Sequence, residues 1–382
     1  MIDVSRATRG KYTNIERLTE TIANGPYDAV IVMSHENVPY YSGFYNMDLR
    51  FIPERMHFVV WPCDGEPSFV VTEVRARYLQ SGDTFLTDIV TYAGEGLDSM
   101  RAVADTLAKQ GVTSGRVGIE GRNFPGGHLL ELQRRCPGIE FVDAFAFLES
   151  PRLIKTPAEV ELLTTLVDWT TAAIDTAFGA ARVGDTERSI AARMQYELLK
   201  NGADLIAAPV FGAGQRAGAF HPIASDQPVE SGMLVYTDFG GYLSGYYSDV
   251  ARTAVMGRAT DRQRDLYAKV WEIKDAIVDY IQPGMPVSEA ANYGRRQYAE
   301  RGLEYKWSII GHSIGLGIHE SPQIYPWFDE PILPDMVMMI ELGYHDYPND
   351  SIHVEDMVVI TDAGAEYRSD FSKHQTLWEL GG

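Results

Sequence analysis

The chain is poor in cysteine and in positive charge. Among its 382 residues there are two cysteines, Cys63 and Cys136. They match no zinc-site spacing and no dense disulfide framework, so two free thiols in a reducing cytoplasm are expected. Lys and Arg number 33 against 53 Asp and Glu, a net charge of −20. That balance argues against nucleic acid and against anionic membrane surfaces, both of which select for positive potential. It favours a cationic or zwitterionic substrate, simple solubility being the plainer alternative. No uncharged apolar run of about 18 residues is present, so no membrane span is expected. The opening MIDVSRATRG has no basic segment leading into an apolar run, so no signal peptide is expected. What remains is ordinary for a folded protein, 45% hydrophobic and 23% charged. The length allows two or three domains.

Residues 1–150 alternate short apolar runs with helical periodicity. Ala29–Met33, Met56–Trp61, Ser68–Val71 and Val117–Glu120 suit buried strands. Leu97–Gln110 and His128–Arg135 have helical spacing, which together predicts an α/β domain. A boundary follows near Ser150–Lys155. There Thr156-Pro157-Ala158-Glu159 opens a long helix with a capping threonine, a first-turn proline and a capping-box glutamate. Residues 151–382 then repeat one plan, a long helix, a shorter helix and strands. Thr260 and Gln263 offer a second capping box. Gly184 and Gly284, Ala191 and Ala291, and Gly202 and Gly302 share an offset of 100 residues. Two related halves around a pseudo-twofold cleft are expected.

Five side chains in the second part carry the chemistry. Asp238 closes the apolar run Met233–Asp238, and Asp249 sits in the returning segment Tyr246–Val255. A hairpin would bring the two together across its ladder. Aspartate is disfavoured in strands, so the pair needs compensation. His312 lies where an apolar strand enters the glycine-rich bend Gly311–Gly317, with His319 seven residues on. Glu341 ends the run Met336–Ile340, and Glu355 interrupts Ile352–Ile360. A buried unpaired carboxylate is costly, and few basic residues lie in these segments to pair with them. Any one of the five has a bland alternative: a turn aspartate, a core histidine, an inward acid paired with arginine. Four carboxylates and an imidazole together are the donor set of a metal centre for hard divalent ions.

These motifs resemble the pita-bread metallohydrolases: methionine aminopeptidase, aminopeptidase P, prolidase and creatinase. The stretch from Asp238 to Thr253 is similar to their metal-binding hairpin. Gly311-His312 through His319-Glu320-Ser321-Pro322 is similar to their Gly-His to His-Glu-x-Pro stretch. Met336–Glu341 and Val354-Glu355-Asp356 are similar to their two glutamate strands. The resemblance covers residues 152 to about 365 well and residues 1–150 more loosely. It implies a creatinase-type N-terminal domain (1–150) followed by an α+β pita-bread catalytic domain (151–382).

The resemblance also implies roles. Asp238, Asp249, His312, Glu341 and Glu355 would ligate two divalent metal ions, Mn, Co, Fe or Zn. Asp249 and Glu355 would bridge them. Such a pair activates water and polarises a carbonyl. Glu341 would shuttle a proton from the attacking water to the leaving nitrogen. His221, in Phe220-His221-Pro222, and His319 would hydrogen-bond the tetrahedral oxyanion. A homodimer is implied as well, in which loops such as the one bearing Arg50, Arg55 and His57 cap a neighbouring site, ordinary surface charge being the competing reading.

The sequence departs from the Xaa-Pro peptidases at three places. Ser308 stands where many have histidine, Leu342 where proline is usual, and His353 where arginine is typical. Histidine has a shorter reach than arginine and no bidentate fork. Ser308 and His353 are therefore expected to touch substrate and to alter its recognition. The leading expectation is a dinuclear hydrolase that cleaves a C–N bond in a small peptide or small zwitterionic substrate, as an Xaa-Pro dipeptidase or aminopeptidase does. The alternatives are a specialised enzyme on the same metals, ectoine hydrolase-like or dimethylsulfoniopropionate lyase-like, and a non-catalytic binding module.

Overall fold

The computed structural model describes residues 10–381 except 53, 81, 95–96, 220 and 347–349. Phe220, and all but the last residue of MIDVSRATRG, therefore lie outside the described residues. The chain divides into two compact units, Met1–Ala158 and Glu159–Gly382.

The first unit is built on a six-stranded sheet. Its strands are β1 (Ala29–Val32), β2 (Phe58–Pro62), β3 (Ser68–Thr72), β4 (Asp88–Tyr92), β5 (Gly115–Ile119) and β6 (Ile139–Asp143), in the order β4-β3-β2-β1-β5-β6. The β-branched central strand β1 is buried along its whole length, as its run of Ala, Val and Ile predicts. The sheet is mixed, because β1 runs antiparallel to β2 and parallel to β5. Helix Asp98–Lys109 packs Met100, Val103 and Leu107 into the same core as Ile31, Phe58 and Val70. His57 precedes β2 and is core rather than surface: it is 1% exposed, stacked between Phe44 and Phe69 at 5.8 and 6.1 Å.

The second unit repeats one motif. Helices Pro157–Ala180 and Glu187–Asn201 precede one five-stranded sheet, and Asp261–Tyr280 and Val287–Glu300 precede another. The first sheet holds β7 (Leu205–Ala213), β8 (Leu234–Leu243), β9 (Tyr246–Tyr247), β10 (Val250–Met256) and β16 (Trp378–Leu380). The second holds β11 (Gly311–Ser313), β12 (Glu320–Gln323), β13 (Val337–Asp346), β14 (Asp350–Thr361) and β15 (Gly364–Tyr367). The repeat extends to single hydrogen bonds. Gly184 N–H donates to Val229 O, and Gly284 N–H to Ile332 O, at 2.9 and 2.7 Å. Both glycines have φ near +90°, which suits a residue without Cβ. The Thr260 box forms: its side chain accepts from Gln263 N–H while Gln263 Oε1 accepts from Thr260 N–H. Glu159 is fully buried and accepts from the Tyr246 hydroxyl at 2.8 Å.

Candidate metal centre and active site

Each of the two sheets delivers part of one acidic cluster. Asp238 is the fifth residue of β8, opposite Ala251 of β10. Asp249 lies in the link between β9 and β10 rather than on a ladder position, so the two aspartates are not a cross-strand pair. A close approach sets that link. A Cβ on Gly240 would overlap the Ser248 carbonyl, so only glycine lets β8 and the link lie this near. The Ser248 hydroxyl then accepts from Gly241 N–H at 2.8 Å and meets the Thr170 hydroxyl at 2.7 Å.

The second sheet supplies the rest. His312 is on β11, Glu341 on β13 and Glu355 on β14. Glu341 and Glu355 are directly opposite each other in register. Like charges opposed in this way repel unless something lies between them. Gly311 allows β11 to close on β13, since a Cβ there would overlap the Met339 carbonyl.

Donor atoms of Asp238, Asp249 and Glu355 lie within 4.8 Å of one another, and so do those of His312, Glu341 and Glu355. Asp249, His312 and His319 form a third such group. All four acids and His312 are therefore brought together, with Glu355 in both main groups. Asp238, Asp249, His312 and Glu355 are at most 6% exposed.

The cluster's electrostatics suit a cation. Burial, then repulsion from Glu355 and Asp238, pushes Asp249 well above the usual carboxylate range. Burial, then Glu341 and Asp238, does the same to Glu355. His312 Nδ1 lies 3.0 Å from the Ser313 carbonyl, which can only accept, so Nδ1 carries the proton. Burial lowers the His312 pKa and keeps the ring neutral. Its Nε2 lone pair then faces Glu355 Oε1 at 3.4 Å, which is repulsive unless a proton or a metal ion intervenes. Asp238 Oδ1, Asp249 Oδ1, Glu355 Oε1 and His312 Nε2 are all buried with no hydrogen-bond partner among the described residues. Orphaned buried donors and acceptors are rare, and four converging ones fit a divalent ion of the hard or borderline type.

The remaining expected site residues fall into two groups. His319 rings sit 4.1 Å from the His312 ring, and His319 is lowered to about 4 by burial and the neighbouring imidazole, so it is neutral at physiological pH. His221 has φ +50°, is half exposed and places Nε2 3.6 Å from Asp238 Oδ2. His353 is 2% exposed, with Nε2 3.1 Å from Glu341 Oε1 and its ring against the edge of Trp307 at 4.7 Å. Burial raises Glu341, but the His353 hydrogen bond and the surrounding imidazoles outweigh it and hold the carboxyl low. Ser308 is exposed in the bend before β11. Its neighbour Trp307 is the residue that reaches His353, and it lies over Gly343, where a Cβ would overlap the indole. Sequence reasoning missed that arrangement, although a glycine opposite His353 on a strand was the available signal.

Residues 161–362 match Metallopeptidase family M24, and residues 14–154 match the Creatinase/Prolidase N-terminal domain. The chain belongs to metallopeptidase family M24. It is a metal-dependent peptidase of pita-bread fold. Over 262 residues it is 31% identical to an Xaa-Pro dipeptidase of Pyrococcus horikoshii, covering 68% of this chain and 74% of that one. Over 355 residues it is 27% identical to an Xaa-Pro dipeptidase of Lactobacillus helveticus, covering 92% and 95%. The crystal structure of the prolidase from Pyrococcus horikoshii OT3 superposes with a TM-score of 0.80 at 25% identity, over 93% of this chain and 97% of that one. These relatives lend nothing to the ring-hydrolase, lyase or binding-module alternatives. No helix among the described residues is long and apolar enough to cross a membrane.

Proposed function

We propose that this M24 peptidase is a dinuclear Xaa-Pro dipeptidase or aminopeptidase, with residues 1–150 as its N-terminal domain and 151–382 as its catalytic domain. The observation that carries the metal assignment is that Asp238, Asp249, His312 and Glu355, drawn together in these groups, each hold a buried ligand atom without a hydrogen-bond partner. Asp238, Asp249 and Glu355 would hold one ion, and His312, Glu341 and Glu355 the other. Membership of both groups is what a bridging carboxylate requires, and Asp249, closest in kind, would share that task. Manganese is the ion we favour, with Co, Fe or Zn as substitutes in the same oxygen-rich set. When bound, such ions supply Lewis acidity toward a peptide carbonyl and lower the pKa of water.

The chain's own residues do the rest. Glu341 accepts the proton of the attacking water and returns it to the departing nitrogen. His353 holds one Glu341 oxygen so that the other faces the reaction. His319, as a neutral ring, donates one N–H toward the developing oxyanion, and the half-exposed His221 does the same. A buried histidine in place of a cationic fork leaves small peptides with an uncharged or short residue after the scissile bond as the best-matched substrates. We further propose a cytoplasmic homodimer.

Chelation should abolish hydrolysis of Xaa-Pro dipeptides, and Mn or Co should restore it. Full activity in a metal-free preparation rejects the chemistry. A parallel panel containing ectoine-like rings and sulfonium propionates tests the substrate: preference for these over Xaa-Pro peptides rejects the peptide assignment.

A further inference from the structure

A second concentration of buried charge lies behind the acidic cluster, and the chemistry above does not use it. Arg252, Lys274 and Asp356 are each 0% exposed. Arg252 is on β10, Asp356 on β14 and Lys274 on helix Asp261–Tyr280. Arg252 Nη2 donates to Asp356 Oδ1 at 2.5 Å, and Lys274 Nζ donates to Asp356 Oδ2. Two cations thus share one carboxylate. The ammonium of Lys274 is further held 3.5 Å over the Trp271 ring and 4.8 Å from that of Phe371. Burying three charges is costly, and a merely structural site would be filled as well by apolar residues.

The geometry of Arg252 gives the group a purpose. Its other terminal nitrogen, Nη1, donates to the backbone carbonyl of Glu355 at 2.6 Å and to that of Ala251 at 2.9 Å. Arg252 stands three residues after Asp249, so one guanidinium ties the segment bearing Asp249 to the peptide of Glu355. The next residue repeats the tie. The Thr253 hydroxyl donates to the His353 carbonyl at 2.9 Å and accepts from the His353 N–H at 2.8 Å. β10 belongs to the sheet that supplies Asp238, and β14 to the sheet that supplies His312 and Glu341. The clamp therefore crosses the seam across which the metal ligands must be registered.

We propose that Arg252, Asp356 and Lys274 are a positioning clamp that fixes the Glu355 carboxylate against Asp238 and Asp249 and thereby sets the affinity for metal. The proposal rests on the metallocentre reading above. Lys274 holds Asp356, Asp356 aims the guanidinium, and the guanidinium fixes Glu355. Lysine at position 252 would keep the charge but lose the planar fork that reaches two acceptors at once. Methionine at position 274 would keep the length of the side chain and remove the ammonium, while Asp356 retains Arg252.

The test is a titration of chelator-treated protein with Mn2+, following the paramagnetic resonance of the free ion. The proposal expects R252K and K274M to bind Mn2+ about tenfold or more weakly than the unmodified chain, the scale known for groups that orient metal ligands. Ile277→Ala serves as the control. It removes a fully buried apolar side chain one turn along the same helix and loosens packing without removing a clamp group. Its Mn2+ affinity should be that of the unmodified chain. Unchanged affinity in both clamp variants, or an equal loss in Ile277→Ala, overturns the proposal. If R252K fails to fold, K274M decides. Failure of the unmodified chain itself to bind Mn2+ rejects instead the metallocentre on which the clamp depends.

Discussion

At the scale of single residues, what the site needs is a carboxylate that can carry a proton beside a cluster that cannot stay uncompensated. Glu341 is the residue proposed for the first task. Glu341→Gln should lower kcat by at least about 100-fold, the lower end for a lost general acid–base group. His353→Phe should lower kcat less and leave KM nearer its original value, because the histidine acts through Glu341. A large rise in KM with kcat unchanged would show that His353 binds substrate directly. His57 gives an independent prediction in the first unit. Burial, then the Arg75 charge, depresses its pKa from 6.5 to about 4, with Asp48 and the Arg55 carbonyl only partly opposing. The unfolded chain therefore binds the proton first, and stability present above pH 6.5 is lost as pH falls toward 4. A shift of that size corresponds to about 3 kcal/mol. His57→Phe, between two phenylalanines already, should flatten this part of the stability–pH curve in denaturant melts. An unchanged slope would mean that His57 is not buried as described.

At the scale of elements, glycines and caps decide how closely strands approach. Gly240→Ala should displace the link that carries Asp249 and weaken metal binding along with stability. Thr260→Ala removes the formed capping box at the start of helix Asp261–Tyr280, and should cost about 1 kcal/mol in chemical denaturation while leaving metal affinity as it was. Matching losses of affinity in both variants would mean that the link has no special role. This is also the scale at which the sequence was most and least legible. The capping box at Thr260 and the apolar runs leading to Asp238 and Glu341 follow from local pattern, although the strands continue past both acids to Leu243 and Asp346. β4 escaped, because it is only partly buried and lacks a continuous apolar run. The hairpin geometry around Asp249 escaped as well, because the overlap that demands Gly240 involves the backbone of Ser248 rather than any pattern of side chains. Tyr246 and Tyr247, beside that link, are core residues, one bonded to Glu159 and the other packed on Tyr242 at 5.0 Å.

At the scale of the whole catalytic unit, a repeated helix–helix–sheet plan brings two sheets to a common seam, and the ligands come from both. Spacing of glycines announced the repeat. The pairing of Arg252 with Asp356 and Lys274 had no sequence signal, since residues this far apart meet only through the repeat's closure. The central claim is that Asp238, Asp249, His312, Glu341 and Glu355 hold a pair of divalent ions at this seam. Crystals grown from Mn-loaded protein and measured at the manganese absorption edge test it most directly. Two anomalous peaks per chain, one contacted by Asp238, the other by His312 and Glu341, with Asp249 and Glu355 touching both, is the predicted result. Absence of any peak among these five side chains in fully loaded, active protein would contradict the account.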